Sequence, residues 1–235
     1  MEFNIKKCNI LTITWQTKRK KNFTYKMGNE AVDGTRETKY LGVTLNSKLK
    51  WDTHISKISS EANKMLGLLW RNLRHCQQSI KEAAYKSYVR PKVEYSSSIW
   101  DPHTQKDIKM VEMVQHRGAR FVTNTPHRRQ AGPQPSVTNI INDLGWKSLQ
   151  DRRKNNRLVL LYKISNNLVE VPAPYHPALR SPQPRRGNQH QYQRLTAEVE
   201  AFEFSFLPRT IVDWNSLSPS VVAADSLESF KRRLA

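Results

Sequence analysis

The chain changes its hydrophobic period close to residue 50. Before that point, apolar residues alternate in short stretches; after it, they recur every three or four positions. Asn9-Ile10-Leu11-Thr12-Ile13-Thr14-Trp15 is β-branched and partly alternating, which predicts a strand. Asn22-Phe23-Thr24-Tyr25-Lys26-Met27 reads as a returning strand, and Lys39–Leu45 as a third strand with a tight glycine turn. The basic run Lys18-Arg19-Lys20-Lys21 and the turn signal Asp33-Gly34 separate them.

From residue 52 the pattern is helical. Ile55, Ile58, Ala62, Met65, Leu66, Leu69 and Leu73 fall on one face, behind Asp52 or Thr53 as N-cap. Arg71 and Arg74 close this helix at the end where its dipole favours cations. Ser79-Ile80-Lys81-Glu82 has the spacing of a capping box and predicts the start of a second helix, which Pro91 ends or passes on to another. Further helices are predicted over Gln105–Val122, near Val137–Leu144, from Ser148 to about Asn167, and over Ser226–Leu234. Thr123–Pro135 is a polar, proline-containing loop.

Residues 171–194 interrupt the periodicity with five prolines (Pro172, Pro174, Pro177, Pro182, Pro184) and the arginines Arg180, Arg185, Arg186 and Arg194. Such a segment has little apolar surface to offset its ordering entropy and reads as a linker or open loop. The fold class expected is α+β, predominantly α-helical. It has a short β-rich part over residues 1–50, a helical bundle over 51–135, and a looser helical region over 136–235 that carries the linker at 171–194.

Composition adds a partner to this picture. A hydrophobic content of 37% and a mean hydropathy of −0.71 are low for a tightly cored enzyme. Six Trp and seven Phe still supply core material. The net charge is +19 over 235 residues, divided as +7 over residues 1–50, +6 over 51–145 and +6 over 146–235. Because the excess is spread along the chain and not held in a tail, it favours a polyanion whose counterions are released on binding. The alternative is a merely solvated basic surface. The longest apolar runs, such as Leu66–Trp70 and Leu158–Tyr162, are far shorter than the roughly 20 residues that cross a bilayer, so no membrane partner is expected. Cys8 and Cys76 are too few for a disulfide framework or a CxxC zinc site. The N-terminal residues also lack the apolar core of a signal peptide. The expected location is intracellular, the nucleus included.

Catalytic chemistry is not visible. Nucleotidyl transfer needs carboxylates held together to fix two metal ions about 4 Å apart. The eight aspartates (Asp33, Asp52, Asp101, Asp107, Asp143, Asp151, Asp213, Asp225) include no adjacent acid pair, and none sits in a strong strand. The histidines are scattered, and no nucleophile elbow surrounds any serine. No catalytic residue and no metal ligand is expected.

Several segments carry a further signal in their order: Phe3–Ile10, Lys39-Tyr40-Leu41-Gly42-Val43-Thr44-Leu45, Trp51 through Arg74 and on to Tyr85–Tyr95, and Trp100-Asp101-Pro102-His103. Leu207-Pro208-Arg209-Thr210, Asp213-Trp214-Asn215-Ser216-Leu217 and Leu227–Lys231 follow. Together they resemble the C-terminal part of reverse transcriptases of non-LTR (LINE, jockey-like) retrotransposons. The resemblance implies that Phe3–Ile10 follows the catalytic Asp-Asp hairpin, with Lys7 matching a lysine near the incoming nucleotide. It makes Lys39–Val43 the primer grip, the helices from Trp51 the thumb, and Asp213–Leu217 with Leu227–Lys231 a closing motif. The aspartates, the fingers, most of the palm and any endonuclease domain would lie upstream and be absent here. Mg²⁺ would go with the intact RNA-directed DNA polymerase, and this chain needs no cofactor of its own.

The expected function is sequence-indifferent binding of an RNA–DNA or DNA duplex by a polymerase fragment, with a separate palm and fingers segment as a further partner. The candidate contacts are Lys39, Tyr40, Leu41 and Gly42; Arg71, Arg74, Lys86, Arg90 and Lys92; Arg117 and Arg120 with Arg128 and Arg129; and Arg152, Arg153 and Arg157 with Lys154. Such contacts would position a duplex without reading its sequence. For each cluster the plain alternative is a solvated face. Tyr85, Tyr88, Tyr95 and Trp100 would either stack on bases or fill the core. The alternative for the whole chain is a decayed mobile-element fragment with no activity of its own.

Overall fold

The computed structural model describes residues 4, 8–14, 23–125, 136–184 and 188–234. They form an α+β, mainly helical protein with two compact units, Met1–Lys57 and Ile58–Ala235. Lys7, Trp15, the Lys18–Lys21 run and the Arg128-Arg129 pair lie outside the described residues.

The first unit contains β1 (Ile10–Leu11), β2 (Lys26–Met27), β3 (Glu30–Ala31), β4 (Gly34–Thr35), β5 (Glu37–Tyr40) and β6 (Val43–Asn46). Three separate pairs replace the expected three-strand piece. β1 runs parallel to β4, β2 is antiparallel to β3, and β5 is antiparallel to β6. Turns are the reason: Gly28 (φ 60°) separates β2 from β3, and Leu41 and Gly42 (φ 45° and 86°) separate β5 from β6. Lys39–Leu45 is therefore two arms of a hairpin with a turn of the I′ kind, not one strand. β6 is the anchored arm. Val43 and Thr44 are buried, and the Thr44 N–H donates to His54 Nδ1 at 3.2 Å.

The helices are α1 (Asp52–Leu73), α2 (Gln78–Ala84), α3 (Ser97–Trp100), α4 (Gln105–Val122), α5 (Val137–Asp143), α6 (Leu149–Ser165), α7 (Glu200–Glu203), α8 (Phe206–Asn215), α9 (Pro219–Val222) and α10 (Leu227–Leu234). α4 has the bounds its periodicity predicts. Its Thr104 cap accepts from the Asp107 N–H at 3.3 Å, and Ser148 caps α6 by accepting from the Asp151 N–H at 2.9 Å. The capping box at Ser79 is not formed. α2 starts two residues earlier, behind Gln77, with no side-chain cap. Lys81 is buried instead, and its Nζ donates to Asn124 Oδ1 at 2.6 Å and to the Arg74 carbonyl at 3.4 Å. After α2 the chain continues through a π-helical turn, Tyr85–Val89, and a 3₁₀ turn, Arg90–Val93, in which Pro91 occupies the first turn.

α4 is central to the second unit and packs on α2, α5 and α6. Val111, Val114 and Phe121 are fully buried. Gly118 lets the Tyr85 ring lie directly against the helix, and that ring stacks on Trp146 at 4.6 Å and 10°. The C-terminal region has its own core, in which Leu158, Leu161, Tyr162, Ile211, Trp214 and Phe230 pack together. Trp214, Phe230 and Tyr162 form a run of stacked rings.

The proline-rich segment is not an open linker where it is described. Leu179 and Tyr192 form an antiparallel bridge, and Tyr192 is buried beside Trp214. Asn215 holds the Tyr192 backbone on both sides, accepting from its N–H at 2.9 Å and donating to its carbonyl at 2.9 Å. One aromatic side chain and these amide bonds supply the ordering energy that composition alone did not reveal.

Candidate nucleic-acid interface

The basic residues divide according to whether the protein itself neutralises them. Arg153 and Arg157 stand one turn apart on α6, as their spacing requires, but they point into the protein. Arg153 Nε donates to Asp101 Oδ1 at 2.8 Å and Arg157 Nε to Asp101 Oδ2 at 2.9 Å, with all three side chains out of water. Arg157 also donates to Asp213 Oδ2 at 2.9 Å, where Lys154 makes a second ion pair at 3.1 Å. Arg209 reaches Asp101 Oδ2 at 3.3 Å and donates to the Asp101 and Pro102 carbonyls at 2.9 and 3.2 Å. Burial pushes the Arg209 guanidinium below its ordinary value, against the pull of Asp101. The expectation that Arg153 and Arg157 contact a partner is corrected. They are buried structural cations, because burying a charge requires an opposite charge and Asp101 supplies it.

Arg152 is also engaged. It forms two hydrogen bonds with the Glu94 carboxylate, which holds its guanidinium above the ordinary value, and Arg90 lies 3.9 Å from the same carboxylate. Lys86 pairs with Glu82 at 2.5 Å, and Trp146 donates to Glu82 Oε1 at 2.9 Å. Tyr85 and Trp100 are core residues, whereas Tyr88 and Tyr95 stand exposed.

Lys39, Arg71, Arg74, Lys92, Arg117 and Arg120 form no ion pair among the described residues. Arg117 and Arg120, one turn apart on α4, border a groove of about 350 Å³ whose other wall is α1. Asn63, Leu66, Gly67 and Trp70 line that wall at spacings of three and four residues, and Thr125 closes one end. Among the described residues no acidic side chain belongs to the lining. The Trp70 indole is backed by Phe121, with ring centres 5.8 Å apart at 48°.

A distant link to a transposon polymerase accompanies this geometry. Over 99 residues the chain is 26% identical to a probable RNA-directed DNA polymerase from transposon BS of Drosophila melanogaster, covering 41% of this chain and 11% of that protein. Over 113 residues it is 25% identical to uncharacterized protein B0403.1 of Caenorhabditis elegans, covering 48% of this chain and 55% of that protein. The chain thus spans a small part of the first relative and about half of the second. No protein-family model and no solved structure matches it.

The hairpin residues form the other candidate surface, in the first unit. Tyr40 and Leu41 are 64% and 73% exposed at the tip of β5 and β6. A leucine at positive φ in open solvent departs from local preference, and such departures gather where a surface has work beyond folding. Among the described residues no group of three or more His, Cys, Asp or Glu side chains gathers. No helix of the described residues is long and apolar enough to cross a membrane.

The sequence reading passed over Asn63, Gly67 and Trp70 as site residues. The available signal was a polar residue, a glycine and a tryptophan at i, i+4 and i+7 on one helix face.

Proposed function

We propose that this chain is the duplex-holding portion of a non-LTR (LINE, jockey-like) retrotransposon reverse transcriptase. It comprises the end of the palm with its primer-grip hairpin, followed by a thumb-like helical region and a C-terminal helical cap. Nucleotidyl transfer belongs, in this reading, to an acid pair and Mg²⁺ on a palm and fingers segment outside this chain. The chain itself holds RNA–DNA or DNA duplex by its backbone, wherever in the cell, nucleus included, the element's nucleic acid is handled.

One observation carries the binding: Arg117 and Arg120 border the α1–α4 groove, and no acidic residue lines it among the described residues. The family half of the reading is supported by the order of the motifs and by the match to the transposon BS polymerase. Arg71, Arg74 and Lys92 would add phosphate contacts, and Lys39 with the Tyr40-Leu41 tip would support a strand end.

Fluorescence anisotropy with a labelled RNA–DNA hybrid tests the reading. If Arg71, Arg74, Lys92, Arg117 and Arg120 each meet a phosphate, log affinity should fall against log salt with a slope of about −4.5. Unrelated hybrid sequences should bind alike. Absence of binding at low salt would refute the proposal.

A further inference from the structure

We propose that the groove between α1 and α4 is a site for a single nucleotide, its base against the Trp70 indole and its phosphate against Arg117 and Arg120. The inference deepens the nucleic-acid reading above and rests on it.

Three observations meet in this groove. First, its size of about 350 Å³ lies at the small end of ligand cavities, enough for one unstacked nucleotide but not for a helical turn. Second, two polar atoms at the groove residues are shut off from water without a partner among the described residues: Arg120 Nη1 and Asn63 Oδ1. A buried donor and a buried acceptor left unmade destabilise the protein, and a small side-chain shift that opens them to the groove would let a ligand bringing an anion and an N–H or O–H together satisfy both. A nucleotide is such a ligand: its phosphate accepts from the guanidinium, and a base amine or ribose hydroxyl donates to the amide. Third, the floor at Gly67 is bare. A Cβ added there would meet no atom within 4 Å, so the space beside the indole is open for a flat ring. Phe121 behind Trp70 fixes the tryptophan as a platform, and base–aromatic stacking tolerates any base. Arg117, exposed at the mouth, and half-buried Arg120 make the charge in the groove uniformly positive.

The nucleotide reaches the groove either as a free monophosphate or unstacked from a strand end, and calorimetry on the full chain separates these sources. AMP, adenosine, inorganic phosphate and a short single-stranded oligonucleotide are titrated in turn. AMP is expected to bind more tightly than either adenosine or phosphate. An oligonucleotide that binds more tightly than AMP identifies the strand end as the source; equal binding identifies the free nucleotide. Gly67→Met, which fills the floor, and Trp70→Leu, which removes the platform, should each weaken AMP by about tenfold or more. If Gly67→Met loses its helical circular dichroism, Trp70→Leu carries the test. AMP binding no tighter than phosphate, or unaffected by Trp70→Leu, overturns the inference. Hybrid-duplex anisotropy is run in parallel. Duplex binding without AMP binding sinks the groove alone, while loss of both sinks the nucleic-acid reading itself.

Discussion

Asp101 Oδ2 accepts a hydrogen bond from Arg157 Nε at 2.9 Å, and neither side chain reaches water. This contact joins the residue before Pro102 to the middle of α6, and through Arg157 it extends to Asp213 on α8. Asp101 also serves Arg153 and Arg209, so one carboxylate is shared by three guanidinium groups.

Asp101→Asn should therefore be among the most damaging single changes in the second unit. It keeps the shape but strands Arg153 as a buried, uncompensated charge and leaves Arg157 with Asp213 alone, at a cost of about 3–5 kcal/mol. Urea denaturation monitored by circular dichroism checks this. An Asp101→Asn midpoint equal to that of the wild type would refute the assignment.

Gly118 and Tyr85 should behave as a coupled pair. A Cβ at residue 118 would lie 2.3 Å from Tyr85 Cε2, and the ring is held between α4 and Trp146. Gly118→Ala should lose about 1–3 kcal/mol to overpacking, despite the better helix propensity of alanine. Tyr85→Phe should be neutral or slightly stabilising, because the buried hydroxyl has no partner and burial already pushes the phenol up. Thermal melts of the two variants check both changes, and Gly118→Ala in a Tyr85→Leu background, where the ring is gone, measures the coupling.

Leu41→Asn should strengthen the β5–β6 hairpin by about 1 kcal/mol, since asparagine accepts positive φ more readily than leucine. Slower amide exchange at Tyr40 and Val43 would report it. If the tip supports a nucleic-acid strand, the same variant should bind hybrid duplex more weakly while being locally more stable. A gain in both would remove the hairpin from the interface.

Acid should release the contact among Glu82, Lys86 and Trp146. The Lys86 and Trp146 hydrogen bonds hold the Glu82 carboxyl below its ordinary value of 4.5. Its stabilisation is therefore complete above the unfolded value and is lost as pH falls through the lower folded one. Glu82→Gln should flatten the stability profile in that acid range and leave its slope near neutrality unchanged. An acid limb identical to that of the wild type would argue against the contact.

Arg117→Gln combined with Arg120→Gln should make the salt slope of duplex binding shallower by about 2 and weaken all sequences alike. Arg152→Gln should leave the slope unchanged, because Glu94 already occupies that guanidinium. The reverse pattern would move the interface from the α1–α4 groove to α6.

Much of the helical framework was legible because its determinants are local. Gln105–Val122 and the Ser148 cap follow from three- and four-residue spacings and from one hydroxyl reaching an N–H three residues on. The hairpin was half legible: Gly42 announced a turn, but a strand and a two-residue hairpin share the same alternation until Leu41 is seen at positive φ. The proline-rich segment was misread because its order depends on Asn215 and Trp214, which lie 23 residues or so along the chain from the backbone they hold.

The sequence by itself determined the long helices and the Ser148 cap, the excess of positive charge and a distant similarity to a transposon polymerase, since all of these are written in neighbouring residues. Only the tertiary structure decided which cations are spent inside the protein. Arg153 and Arg157 look no different along the chain from Arg117 and Arg120, and their fate turns on Asp101, 52 and 56 residues away. Packing brings that carboxylate to α6 and, among the described residues, brings none to the α1–α4 groove, because a buried charge must find its opposite whereas a solvated one need not.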